Sequence, residues 1–596
     1  MISTGEPSLV DGSSVFMQLE NRCFSYIDID NSKLGMSTTL NHVEITSGYE
    51  VIGNEPLNLV SSEEGFQIHK KIITSHGDEN SNESGTKNPN MLEIKEPFES
   101  PTLMVLFLTQ ISFYILMFLY YISSFFPPKI VKEKNRDGYQ PLLDRFSIFY
   151  SRYVFRRMRD CCDYPICSVA GNEIVVKERV TKDNGWTFEF TGSERKCINL
   201  GSYNYLGFAE KSGPCAEAAI SSVYKYGIST GNSRQRYGTC ELHDKLERLM
   251  AEFLGVEDVI TFGMGFATNS LNIPTLLSPG SLVLSDEKNH SSIILGIRLG
   301  GVTVRVFKHN SVEHLERLLR EAIYYGQPNQ PEGVFKPWKK IVIFVEGVYS
   351  MDGTIVRLPE MIALKKKYKA YLYIDEAHSI GALGKKGVGV VDYFHCNPKD
   401  IDVFMGTYSK SFGSSGGYIA GTKELITCLR EKSVASRHAW AMPPPLASQI
   451  ISVLKILMGK DGTNEGRQRI ERLARNTKYF KKRLRQMGLI IYGNEDSPVI
   501  PILAFHYSKI VCMVRTLMKE KVAIVGNGYP FTSLNKGRIR ICLSSGFTKE
   551  QLDYVLEAIQ KVVEKVGLKY SCKPINNSPI DSQYLAKHSV MPEEDT

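Results

Sequence analysis

The sequence lacks the G-x-x-x-x-G-K-[ST] loop on which P-loop nucleotide hydrolases seat their phosphates. That excludes the class, even though residues 375–378 read Asp-Glu-Ala-His. It also lacks any zinc-finger or RNA-binding signature. A net charge of +8 over 596 residues is too modest and too dispersed to argue for nucleic acid. The twelve cysteines show no disulfide framework and no paired metal-ligand spacing, so they read as reduced thiols of a cytosol-facing protein. The cluster Cys161-Cys162 with nearby Cys167 is the one place where metal binding stays open. The N-terminus has no basic stretch running into an apolar one, and a cleaved secretory signal is therefore not expected.

Charge is missing altogether between residues 102 and 126, where Leu, Met, Phe, Ile and Tyr run long enough to cross a bilayer core of about 30 Å as a helix. Glu93, Glu96 and Glu99 precede this run, and Lys129, Lys132, Lys134 and Arg136 follow it. The positive-inside rule then places the C-terminal bulk in the cytosol. Two other placements remain: a buried soluble helix, or one lying in the membrane plane, since Gln110, Ser112, Ser123 and Ser124 soften the segment.

Length and a 42% hydrophobic content allow two or three packed units. Residues 1–99 are rich in Ser, Asn, Glu and Gly without apolar period, and read as a disordered extension. Residues 100–128 hold the membrane helix and 129–197 form an adaptor, strand-like at Glu173-Ile174-Val175-Val176. Its Arg145, Arg152, Arg156, Arg157 and Arg159 face either lipid headgroups or solvent. Residues 198–457 alternate short apolar runs with helical patterns, which signals a mostly parallel α/β sheet with strands at 259–262, 281–284, 302–307, 341–345, 371–374 and 403–405. Residues 458–570 read as a smaller C-terminal α/β unit, and 571–596 as a disordered tail.

The candidate chemistry gathers at the ends of those strands, where ligands of open α/β sheets bind. Lys410 sits among small and hydroxylated residues with glycines on either side, in Gly406-Thr407-Tyr408-Ser409-Lys410-Ser411-Phe412-Gly413. Asp375 and His378 end the 371–374 strand. An amine, a carboxylate and an imidazole so placed suit pyridoxal phosphate (PLP): a lysine for the Schiff base, an acid for the pyridine nitrogen and a histidine for the phenolic oxygen. A solvated lysine and a capping aspartate are the plain alternative, and the flanking strands and glycines argue against it. After the 259–262 strand, Gly263-Met264-Gly265-Phe266-Ala267-Thr268-Asn269 opens a helix whose N–H groups suit a phosphate. His290 can stack on a flat ring, and Ser350 lies beside the same edge. Arg538 and Arg540, two apart on a strand, share one face, where a buried arginine suits a substrate carboxylate.

With these residues assembled, residues 138–570 resemble the catalytic subunits of the serine palmitoyltransferase family, in the α-oxoamine synthase group of fold-type I PLP-dependent transferases. The specific marks are Gly201-Ser202-Tyr203-Asn204-Tyr205-Leu206-Gly207-Phe208, the stretch 368–382 around Asp375-Glu376-Ala377-His378, and Ser409-Lys410-Ser411-Phe412-Gly413. The resemblance implies that Lys410 carries the cofactor and acts as base, that Asp375 pairs with the pyridine nitrogen, that His378 meets the phenolic oxygen and that His290 stacks on the ring. It implies that Thr407 and the backbone at Gly265 and Phe266 hold the phosphate, with Ser350 beside the ring, and that Arg540 receives the amino-acid carboxylate. Thr532 matches a threonine that reaches the phosphate across a subunit boundary in homodimeric relatives. The implied reaction condenses L-serine with a long-chain acyl-CoA on the cytosolic face of the endoplasmic reticulum membrane. The implied partners are a subunit 1 in a heterodimer and small activating and regulatory membrane subunits. Two departures stand out: residues 231–239 read Gly-Asn-Ser-Arg-Gln-Arg-Tyr-Gly-Thr in place of Cys-Ser-Thr-Arg-Gln-Glu-Met-Gly-Asn, and Cys162 stands where tryptophan is usual.

Overall fold

The computed structural model describes residues 98–123, 146, 149–183, 185–328, 330–331, 334–529 and 531–574. The extension before residue 98, the basic flank 129–136, Arg145, the side chains of Arg152, Arg157 and Cys162, and the tail after residue 574 lie outside the described residues.

Helix α1, Leu103–Ser123, is built from the uncharged run. Its residues 103–122 are long and apolar enough to cross a membrane, by length and composition, with a mean hydropathy of 2.0. One narrow stripe faces the folded protein. Val105 and Leu106 pack near Phe505 and Tyr570, and the hydroxyls of Thr109 and Ser112 each lie 3.3 Å from a ring nitrogen of His506. Further along, Phe113 meets Phe149 edge-on, and Tyr120 meets Phe149 at a tilt and Tyr153 edge-on. The remaining apolar surface of α1, from Leu103 and Phe107 to Phe118 and Tyr121, is exposed. A short helix, α2 (Arg156–Cys162), follows the aromatic segment 149–155, and strands β1 (Glu173–Val180) and β2 (Glu189–Asn199) form an antiparallel pair.

The main sheet uses β3 (Asp258–Phe262), β4 (Ser281–Asp286), β5 (Thr303–Phe307), β6 (Lys340–Glu346), β7 (Tyr371–Asp375), β8 (Val403–Thr407) and β9 (Gly417–Gly421). Their spatial order is β3-β9-β8-β7-β6-β4-β5. All neighbours pair in parallel except β9, which runs antiparallel to both β8 and β3. Successive side chains of a strand point to opposite faces. Here both faces are covered: Leu282, Leu284, Ile343, Val345, Leu372 and Ile374 enter one apolar cluster, while Val283, Val342, Phe344, Tyr373 and Met405 enter another. Burial on both faces explains why these strands read as continuous apolar runs and not as alternation. Helices α3 (Gly265–Ser270) and α4 (Ser291–Leu299) follow β3 and β4.

The chain then enters α5 (Glu465–Gln486), which buries Ile470, Leu473, Thr477, Phe480, Lys481 and Leu484 at helical spacing. Strands β10 (Val499–Phe505), β12 (Val525–Asn527) and β13 (Gly537–Cys542) form an antiparallel sheet with β13 in the middle. Between them lie α6 (Tyr507–Lys519) and the two-residue β11 (Val522–Ala523), and α7 (Lys549–Val566) closes the unit. β11 pairs in parallel with β2, Val522 opposite Ile198, so residues 173–199 share a sheet with this C-terminal unit.

Candidate active site

The strand ends of the main sheet bring most of the expected residues together. β7 delivers Asp375, which is 4% exposed. Its Oδ1 accepts the Ala377 N–H at 2.9 Å and its Oδ2 accepts the side-chain amide of Asn269 at 2.8 Å. Asn269 is held in turn by the Tyr373 hydroxyl, which donates to its Oδ1 at 2.7 Å. The carboxylate is thereby aimed by two donors fixed to the sheet.

Lys410 lies in the turn after β8. Its Nζ stands 5.4 Å from the centroid of the Tyr203 ring, while the Arg540 guanidinium, arriving from β13 of the other unit, stands 4.5 Å from the same ring. Burial lowers the Lys410 amine to about 8; Asp375 and Glu346 partly offset that and Arg540 reinforces it. His378 is buried. Its Nδ1 lies 2.8 Å from the Tyr205 hydroxyl and its ring meets Tyr203 edge-on at 4.8 Å. Burial, reinforced by the Lys410 and Arg540 cations, holds the imidazole well below its usual basicity. With Nδ1 engaged by Tyr205, Nε2 is left to meet a ligand.

His290 begins α4. Its Nδ1 lies 2.7 Å from the Ser292 hydroxyl, its N–H is taken by the Glu346 carboxylate, and its ring meets Phe266 edge-on at 6.0 Å. On the far side of β7, Thr407 lies against the start of α3. A Cβ at Gly265 would sit 2.7 Å from the Thr407 hydroxyl and 3.3 Å from the Gly416 carbonyl, so only glycine permits that approach. The Thr407 hydroxyl is 2.7 Å from that of Ser409 and donates to Gly416 O at 2.8 Å. Ser350 lies beside the Tyr203 hydroxyl.

Arg538 and Arg540 divide between them the two uses open to such a pair. Arg538 is committed to the fold: it pairs with the buried Asp352 and donates to the Met351 carbonyl at 2.8 Å. Arg540 is 8% exposed, and its buried Nε finds no hydrogen-bond partner among the described residues. A buried donor left so is costly unless a ligand acceptor meets it. The residues thus fit PLP and an amino-acid carboxylate: a low-pKa amine, an oriented carboxylate, a glycine cradle beside two hydroxyls, and an orphaned guanidinium nitrogen.

Thr532 is not brought into this set. It is buried, its hydroxyl donates to Ser533 O at 3.4 Å, and no described hydrogen bond, ion pair or ring contact links it to the other nine. The divergent loop 231–239 is fastened elsewhere, through the buried pair Arg234–Glu247 at 2.6 Å, the Gln235 N–H to Ser436 O, and the Ala441 N–H to Asn232 O. Three residues at the centre carried no role in the sequence reading: Tyr203, Asn269 and Glu346. Glu346 is register-paired with Asp375 across β6 and β7. Burial, and then the neighbouring Asp375, raises its carboxyl well above the ordinary range. Each lies in a segment already singled out, within the 201–208 mark, the glycine-rich 263–269 opening, and the end of the 341–345 strand.

A family model described as aminotransferase class I and II matches residues 195–559. The chain is similar to serine palmitoyltransferase 3 of Homo sapiens, 47% identical over 486 residues that cover 80% of this chain and 87% of the relative. It is likewise similar to serine palmitoyltransferase 2 of Caenorhabditis elegans, 50% identical over 431 residues that cover 72% and 76%. Among solved structures it matches the Sphingomonas wittichii serine palmitoyltransferase with a TM-score of 0.60 at 26% identity, covering 71% of this chain and 99% of that one. A serine palmitoyltransferase structure described as holding a PLP internal aldimine matches with a TM-score of 0.61 over 71% and 100%. A PLP-shaped site at the C-terminal edge of a seven-stranded sheet and relatives of this identity and coverage lead to one conclusion: the chain belongs to the serine palmitoyltransferase family, within the aminotransferase class I and II enzymes.

Proposed function

We propose that this chain is the lysine-bearing subunit of a serine palmitoyltransferase. It condenses L-serine with palmitoyl-CoA to 3-ketosphinganine, releasing CO2 and CoA. The observation that carries the reading is the convergence of Lys410 and Arg540 on the Tyr203 ring, because it brings an amine and a guanidinium with an unmet Nε to one place. PLP, when bound, supplies an electron-accepting ring that stabilises negative charge at the serine Cα.

The chain's own residues do the rest. Arg540 takes the serine carboxylate through its unpartnered Nε. Lys410, with its amine lowered to about 8, is in part neutral at physiological pH and takes the Cα proton. Asp375, aimed by Asn269, would keep the pyridine nitrogen protonated, and burial with Asp375 alongside raises the neighbouring Glu346 carboxyl well above its ordinary range. His378 offers Nε2 to the phenolic oxygen, the His290 ring stacks, and Ser350 lies beside Tyr203. The Gly265–Phe266 backbone with Thr407 holds the phosphate. Thr532 completes a site across a subunit boundary, a role supported by its separation from the set within this chain.

The partner is a subunit 1 homologue, joined by small activating and regulatory membrane subunits. α1 anchors the assembly in the endoplasmic reticulum membrane, with the catalytic units in the cytosol where acyl-CoA is supplied. That placement is supported by the uncharged run and the basic residues that follow it. The test is to purify the chain with subunit 1 and supply labelled serine, glycine or alanine with acyl-CoAs of graded length. Labelled 3-ketosphinganine formed from serine and palmitoyl-CoA is expected. A glycine-only product would overturn the substrate assignment.

A further inference from the structure

A cavity of about 810 Å³ lies away from the catalytic residues, between α1, the 153–158 segment and α6. Its size is that of a site for a small organic ligand. Tyr507, Val511, Arg515 and Lys519 succeed one another at four-residue spacing along α6 and all line it, so one face of the helix forms its length, about 18 Å. That face is graded. At one end Tyr507 and Val511 meet Leu116 of α1 and Tyr153, and at the other stand Arg515 and Lys519. Arg156 also lines the cavity, its guanidinium lying over the Trp186 ring at 4.3 Å. No carboxylate is among the described lining residues.

We propose that this cavity binds an anionic phospholipid from the leaflet around α1, its phosphate toward Arg156, Arg515 and Lys519 and its acyl chains along Leu116, Tyr153 and Tyr507. Cationic and apolar residues along one helix face suit an amphiphilic anion. Continuity with the exposed apolar face of α1 makes the bilayer the source of that amphiphile. The adaptor arginine Arg156 thus faces a lipid headgroup.

The experiment purifies the full-length chain in a neutral detergent containing phosphatidylserine and phosphatidylcholine in equal amounts and measures the co-purifying lipid by mass spectrometry. The wild type is expected to retain phosphatidylserine preferentially. A cation beside an anionic lipid is worth about fivefold, so the double variant R515Q/K519Q is expected to lose about twenty-five-fold of that preference. C512W, which fills the cavity without changing charge, is expected to lose it as well. Both variants should keep the absorption of bound PLP, which verifies folding. An unchanged preference in both overturns the site. Displacement of the lipid by glycerol phosphate marks a soluble-phosphate site, and displacement by palmitoyl-CoA a substrate site; either overturns the phospholipid assignment.

Discussion

Two lysines, one in each α/β unit, lose their water and respond alike, yet sit in opposite company. Lys410 follows β8 in the large unit and Lys481 lies on α5 in the small one; burial lowers the first amine to about 8 and the second to about 7. By basicity alone Lys481 is the more perturbed. Yet it is fully enclosed and donates to the backbone carbonyls of Asn494 and Glu495. Its charged neighbours are Glu495, Arg485 and Asp496, of which Arg485 and Glu495 are spent on one another. Lys410 has Asp375, Glu346 and Arg540 around it and the Tyr203 ring beneath its Nζ. A depressed lysine pKa therefore measures burial, and only the company it keeps turns it into chemistry.

The largest test of that contrast is to remove each amine in turn. Lys410→Ala is expected to abolish both the visible absorption of bound PLP and product formation while the chain stays folded, whereas Lys481→Met keeps both; absorption spectra and a labelled-serine assay decide. Within the Lys410 region, Asp375→Asn should leave PLP bound but lower kcat at least about a hundredfold, because an amide cannot hold the ring nitrogen protonated. Near-normal turnover would assign that partner elsewhere.

The paired arginines of β13 sharpen the same point. Arg540→Gln should raise the KM for serine about thirtyfold, the worth of a charge-assisted contact of about 2 kcal/mol, with little change in the thermal midpoint. Arg538→Gln leaves the buried Asp352 to Lys288 alone, and should cost about 1.5–3 kcal/mol of stability instead. The last prediction concerns Lys481 and pH. Its folded pKa lies below its unfolded value of about 10.5, so between about 7 and 10.5 the unfolded chain binds the extra proton and stability rises with pH. Lys481→Met removes that slope. Denaturation from pH 7 to 10 should show the wild type gaining on the variant as pH rises, and parallel curves would mean that Lys481 is charged in the fold.

The six strands foreseen from apolar runs all appear, each bounded within a few residues of expectation, because a strand buried on both faces writes its burial into consecutive positions. β9 was missed: Gly-Tyr-Ile-Ala-Gly carries a glycine at each end and reads as turn, and only pairing on both sides, with β8 and β3, makes it a strand. The grouping of Lys410, Asp375 and His378 was legible from their neighbours in the chain. What aims them was not. Asn269 reaches Asp375 from 106 residues away, and Tyr205 reaches His378 from 173. The division of labour between Arg538 and Arg540 depends likewise on Asp352, 186 residues distant from Arg538. Sequence spacing put the two arginines on one face, and tertiary contact decided which was spent.

The strand that carries Arg540 is zipped to β10, Arg540 opposite Pro501, and β10 ends at Phe505 beside His506, where α1 is moored. Arg540 and the mooring of α1 therefore sit on one sheet, while Lys410 belongs to the other unit. A displacement of α1 is relayed to Arg540 through paired strands, and to Lys410 only across the boundary between the two units.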